Sequence, residues 1–149
     1  MTLDKEAATV TAPTLGLELD HIVLVAQDVE RTVAFYTDIL GGTPHRLAEW
    51  RSGSALYPSV LFGPWKINIH PAETPAAPRA VSPRAGAADF CLRFPRPVAE
   101  AIELLTNANV PIVHGPAKEE CAREWRTSVY FRDPDGCLVE FACELEEGP

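Results

Sequence analysis

The sequence predicts an α+β domain built from two copies of one β-α-β-β-β module, with the helices on the outer side of the sheets. Three observations lead there. Strand-like and helix-like segments recur in the same order in each half of the chain, and a proline-rich stretch divides the halves. At 149 residues and 46% apolar composition, the chain can fill one core without disulfides.

Residues 1–16 read as a tail. Module one (residues 17–70) opens with residues 19–26, LDHIVLVA, a β-branched strand followed by Asp28, a good helix N-cap. The helix over residues 29–40 places Val29, Val33, Tyr36 and Leu40 on one face, and Gly41-Gly42 ends it. Residues 46–50, 55–62 and 65–70 read as three further strands, divided by Ser52-Gly53-Ser54 and Gly63-Pro64. Residues 71–86 hold four prolines and little to bury, and read as a connecting arm. Module two (residues 87–143) repeats the order: a strand at 88–94, a helix at 98–108, then strands at 112–113, 126–132 and 137–143. Residues 144–149 form a second tail.

Composition excludes several functions. A net charge of −8 opposes binding to a nucleic-acid backbone, which needs clustered Lys and Arg. Cys91, Cys121, Cys137 and Cys143 form no CxxC pair, as expected of a reduced, cytoplasmic protein. The opening residues lack the basic start and apolar run of a signal peptide, and no apolar stretch has the ~20 residues of a membrane-spanning helix. A nucleophile elbow and a phosphate-cradling glycine loop are both absent from the sequence.

Chemistry is concentrated in polar residues set within apolar strands. Strand alternation puts His21 opposite Ile22 and Leu24, Asn68 and His70 opposite Ile67 and Ile69, and Glu140 opposite Val139 and Phe141. Laying module two on module one places Asp89 on His21 and Glu140 on His70. A concave sheet that gathers these residues offers the mixed imidazole and carboxylate set suited to Fe, Mn, Zn, Ni or Co. The competing structural explanation is a hydrogen-bonded strand His and a solvated Glu. His45 and His114 have no comparable setting and read as a strand end and a loop.

LDHIVLV (19–25), FYTDILGG (35–42), KINIH (66–70) and above all YFRDPDGCLVEF (130–141) resemble the glyoxalase, bleomycin-resistance and extradiol-dioxygenase, or vicinal oxygen chelate, superfamily. Within it the chain is similar to the glyoxalase-domain-containing proteins. The resemblance implies a mixed sheet cupped around a divalent transition metal, with ligands from the first, fourth, fifth and eighth strands: His21, His70, Asp89 and Glu140. Asp89 departs from the usual His, so it is either a ligand or a partner that orients one.

Ligand count separates the reactions that the resemblance implies. Four ligands leave two positions for neighbouring substrate oxygens, and imply glyoxalase- or epimerase-like lyase or isomerase chemistry through a metal-stabilised enediolate. Glu140 or Asp89 would then be the catalytic proton shuttle. Three ligands imply an Fe(II) extradiol-type dioxygenase. A third possibility is metal-free binding of a small cationic drug. Asn68, Tyr130, Arg132 and Trp65 are expected to line the substrate site, with Arg132 pairing either a substrate carboxylate or Asp133. The charge-rich residues 119–126 read as an exposed loop or short helical turn that could close over the site. A homodimer is expected, and the long arm would permit module exchange between its chains.

Overall fold

In a computed structural model, residues 15–145 are described. Most of the two expected tails therefore lies outside the described residues.

Module one comprises β1 (His21–Ala26), α1 (Val29–Ala34), β2 (Thr43–His45), α2 (Leu47–Arg51), β3 (Ser59–Phe62) and β4 (Trp65–Pro71). Module two comprises β5 (Asp89–Pro97), α3 (Val98–Asn107), β6 (Ile112–Glu120), β7 (Trp125–Arg132) and β8 (Leu138–Glu144). Each forms a four-stranded mixed sheet, ordered β1-β4-β3-β2 and β5-β8-β7-β6. The outer strands β1 and β5 run parallel to β4 and β8, and the remaining pairs are antiparallel. The expected α+β class and the repeated module are both present.

Local chemistry explains most elements. Asp28 caps α1, its Oδ1 accepting from the Arg31 amide at 3.0 Å. The helix continues as a π-helical turn, Phe35–Ile39, and stops at Gly41, whose φ of +77° suits glycine. One face of α1 and its π-helical extension (Val29, Val33, Phe35, Tyr36) and one face of α3 (Val98, Ala101, Leu105) are buried. These residues join Leu24, Ile67 and Ile69 of the first sheet and Val129, Phe131, Val139 and Phe141 of the second in a continuous core. Alternation leaves the other face of each sheet, the cup face, free of helices.

Three expected elements differ. Residues 46–50 do not form a strand: Arg46 takes a left-handed φ of 58°, and residues Leu47–Arg51 form helix α2. Leu47 and Trp50 stand three apart, a helical spacing. The strand expected over 55–62 begins only at Ser59. The loop expected over 119–126 is confined to residues 121–124, because β6 runs to Glu120 and pairs Glu119 with Arg126 and Glu120 with Trp125.

The Asp133-Pro134-Asp135-Gly136 turn does more than reverse the chain. Asp133 is 6% exposed, and its Oδ2 accepts from Tyr36 Oη of module one at 2.8 Å. Its Oδ1 accepts from the amides of Asp135 and Cys137 at 3.0 and 2.9 Å. Asp135 accepts from the Gln27 amide and Thr32 Oγ1, at 3.2 and 3.3 Å. Its backbone carbonyl would lie 2.5 Å from a Cβ on Gly86, whose φ is +80°. The turn thus fastens module two to module one.

Candidate functional site

The strand register revises how the two modules correspond. In the first sheet His21 pairs with Lys66 and Val23 with Asn68; in the second Asp89 pairs with Leu138 and Cys91 with Glu140. Asn68, not His70, therefore stands where Glu140 stands. His70 pairs with Val25, four residues beyond His21 on β1, or about 13 Å along the sheet. Within one chain these two imidazoles do not meet at one point.

His21 is held at one ring nitrogen. It is the first residue of β1, and its Nδ1 donates to Asp20 Oδ1 at 2.7 Å. That bond leaves Nε2 as the nitrogen able to accept, and a carboxylate held to the other ring nitrogen is an arrangement that can orient a metal-ligating histidine. Hydrogen bonding to His21, followed by its charge, lowers the Asp20 pKa below the usual carboxylate value. Further along the cup, Asn68 is buried and accepts from Ser59 Oγ through Oδ1 at 2.8 Å.

The second cup is richer in acid. Glu140 faces Tyr130 on β7 and Cys91 on β5, and its Oε2 accepts from Ser128 Oγ at 2.8 Å. Burial and then the Glu140 charge push the Cys91 thiol up to about 12. Burial and contact with the same carboxylate raise the Tyr130 phenol above its ordinary value. Asp89 is exposed at the start of β5, on the same face as Cys91. Arg132 spans its own turn, donating to the Gly136 carbonyl at 3.0 Å rather than pairing with Asp133. Trp65 alternates with Ile67 and Ile69, on the face opposite Asn68.

Sequence reading missed four residues of this cup. Ser128 and Cys91 contact or face Glu140, and the alternation through Asp89 and Tyr130 would have found them. His114 lies on β6 opposite Tyr130, with ring centroids 5.4 Å apart. Arg126, expected in an exposed loop, is 6% exposed and donates to the Ala142 carbonyl at 3.0 Å and to Glu124 at 3.1 and 3.2 Å.

Among the described residues, no three His, Cys, Asp or Glu side chains come together as a metal-binding group. The donors instead fall into two halves: an oriented imidazole in the first cup, and in the second the oriented carboxylate of Glu140 with the exposed Asp89. Their chemistry fits a divalent metal, provided that one cup meets the other kind.

The family description "Glyoxalase/Bleomycin resistance protein/Dioxygenase superfamily" matches residues 18–141. The chain belongs to this superfamily. It is 33% identical over 124 residues to virulence protein STM3117 of Salmonella typhimurium, covering 83% of this chain and 82% of that protein. It is 32% identical over 124 residues to glyoxalase domain-containing protein RDO1 of Mycosarcoma maydis, covering 83% of this chain and 66% of that protein. The crystal structure of STM3117 superposes with a TM-score of 0.80 at 30% identity, over 89% of this chain and all of that one. An integron cassette protein from Vibrio cholerae matches with a TM-score of 0.77 at 34% identity, over 85% of this chain and 94% of that one. Superfamily members bind small molecules, typically with divalent metals, and include lyases and dioxygenases. Among the described residues of this member, no helix is long and apolar enough to cross a membrane.

Proposed function

We propose that the protein is a metal-dependent enzyme acting on a small substrate through two neighbouring oxygens, by glyoxalase- or epimerase-like proton transfer. The observation that carries this reading is the complementary preparation of the two cups. His21 is braced by Asp20 and Glu140 is braced by Ser128, each leaving a binding atom free.

His21, Asp89 and Glu140 would hold the ion. They come from both modules and form no group within one chain, so the reading includes a homodimer in which the first cup of one copy faces the second cup of another. When bound, the metal supplies Lewis-acid polarisation of the substrate oxygens. Asp89, the other carboxylate of this cup, accepts the proton beside the carbonyl, while Ser128 fixes one oxygen of Glu140 and leaves the other for the ion, and the protonated Tyr130 beside it supplies a donor. This set has one imidazole and two carboxylates. It favours proton transfer over Fe(II) oxygen activation, which uses two imidazoles and one carboxylate.

Metal uptake after dialysis against Mn, Co, Ni, Zn or Fe(II), read by elemental analysis beside the solution mass, tests the proposal. We expect about one ion per chain in a dimer, with His21→Ala and Glu140→Ala each weakening uptake by more than about tenfold. Full uptake by Asp89→Ala would move Asp89 out of the ligand set. A wild-type protein that takes up none of these ions sinks the enzyme reading and favours metal-free drug binding.

A further inference from the structure

We infer that the cavity between the far end of the first cup and the proline-rich arm binds the anionic group of a small organic acid with an apolar body. The cavity has a volume of about 510 Å³, a size ordinary for small-molecule sites. Val23 and Val25 of β1, His70 of β4, Cys137, and Arg79 and Arg84 of the arm line it.

Three observations set the ligand class. The first is charge: acidic residues outnumber basic ones 21 to 13 in the chain, yet this wall contains two arginines and neither Asp nor Glu. A cationic recess in an acidic surface focuses the field on an incoming anion. The second is unspent donor capacity. Arg79 commits Nη1 to the Pro75 carbonyl at 2.8 Å, and neither arginine makes an ion pair among the described residues. Guanidinium groups left with free N–H pairs match a carboxylate or phosphonate. The third is His70, which is 6% exposed and whose enclosed Nε2 has no hydrogen-bond partner. A buried polar nitrogen without a partner is uncommon and is relieved by a ligand. The Tyr57 ring lies 4.3 Å from the His70 ring, centroid to centroid, and the remaining wall is largely valine, proline and alanine. That surface suits a flat or aliphatic carbon body.

His70 in this cavity lies about 13 Å from His21 along the strands, a span of four residues, and Val23 forms the wall nearer to His21. As a substrate subsite it rests on the metal reading above, because a substrate would chelate at one end and seat its acid group here. Binding of the acid group itself requires no metal.

Benzoate and phenylphosphonate, with benzyl alcohol as the neutral control, are titrated calorimetrically into the full chain in EDTA. Chelation separates this outcome from that of the metal reading. We expect both anions to bind at least about tenfold more tightly than benzyl alcohol, and Arg79→Gln and Arg84→Gln each to weaken benzoate by about threefold to tenfold. His70→Phe should also weaken it, and benzoate should shift the His70 ring protons in NMR spectra. Both substituted arginines lie exposed on the arm, so the variants should fold as the parent does. Equal affinity for benzoate and benzyl alcohol, no binding of either anion, or an Arg79→Gln/Arg84→Gln double variant that binds like the parent overturns the inference.

Discussion

Position for position along the parallel strand pairs, Asn68 of module one stands where Glu140 stands in module two, and His21 stands where Asp89 stands. The same topology thus presents an imidazole and an amide in one cup and two carboxylates in the other. Their hairpins differ as well. Gly63-Pro64 in module one simply joins β3 to β4, whereas residues 133–137 in module two join β7 to β8 and grip module one. Duplication preserves where strands and cups lie. What differs between the cups is set by single residues on alternating positions, and in the proposed function each cup supplies what the other lacks.

The largest expected effect breaks the hairpin contrast. Asp133→Ala strands the Tyr36 hydroxyl and the amides of Asp135 and Cys137, and should cost about 3–5 kcal/mol in urea unfolding. Pro64→Ala in the corresponding hairpin should cost less than about 1 kcal/mol. If the two losses are equal, the turn is not a joint between modules. Gly86→Ala comes next, because its Cβ meets the Asp135 carbonyl at 2.5 Å with φ at +80°; a loss of about 2–3 kcal/mol is expected by the same measurement.

Ser128→Ala removes the brace from Glu140 and should lower metal affinity about tenfold with little change in the unfolding midpoint. Asn68→Asp, made to imitate module two, tests whether the first cup can acquire the second's character through tighter metal uptake. The smallest effect is a pH slope. Burial lowers the His70 pKa in the folded protein, so the unfolded chain binds the proton more readily. The contribution is fully present above the unfolded value near 6.5 and is lost as pH falls through the folded value. Thermal midpoints should therefore fall more steeply below pH 6.5 in the parent than in His70→Phe.

Much of this fold was legible because periodicity and caps are local. Asp28, Gly41 and the apolar faces of α1 and α3 lie where spacing alone places them. The misread strand at 46–50 turned on one left-handed residue, Arg46, which a single sequence does not mark. The site was legible only in part. Alternation placed His21, Asn68 and Glu140 on their faces, but parallel register is a long-range property. A two-residue slip was enough to substitute His70 for Asn68 in the comparison of modules. Arg126 was misplaced for a similar reason, since its partner, the Ala142 carbonyl, lies on another strand.

The fastening of the Asp133 turn also bears on how the proposed dimer would assemble. Trading modules between chains would require Tyr36 to leave Asp133, and Gln27 and Thr32 to leave Asp135, before any partner contact replaced them. That opening step is a barrier to domain swapping, however long the arm between the modules. In the proposed dimer two finished chains docking cup to cup avoid it, so assembly should be a second-order encounter whose rate scales with concentration and not with unfolding. The hairpin that leads into the strand of Glu140 is also the one that ties each chain's two modules to each other.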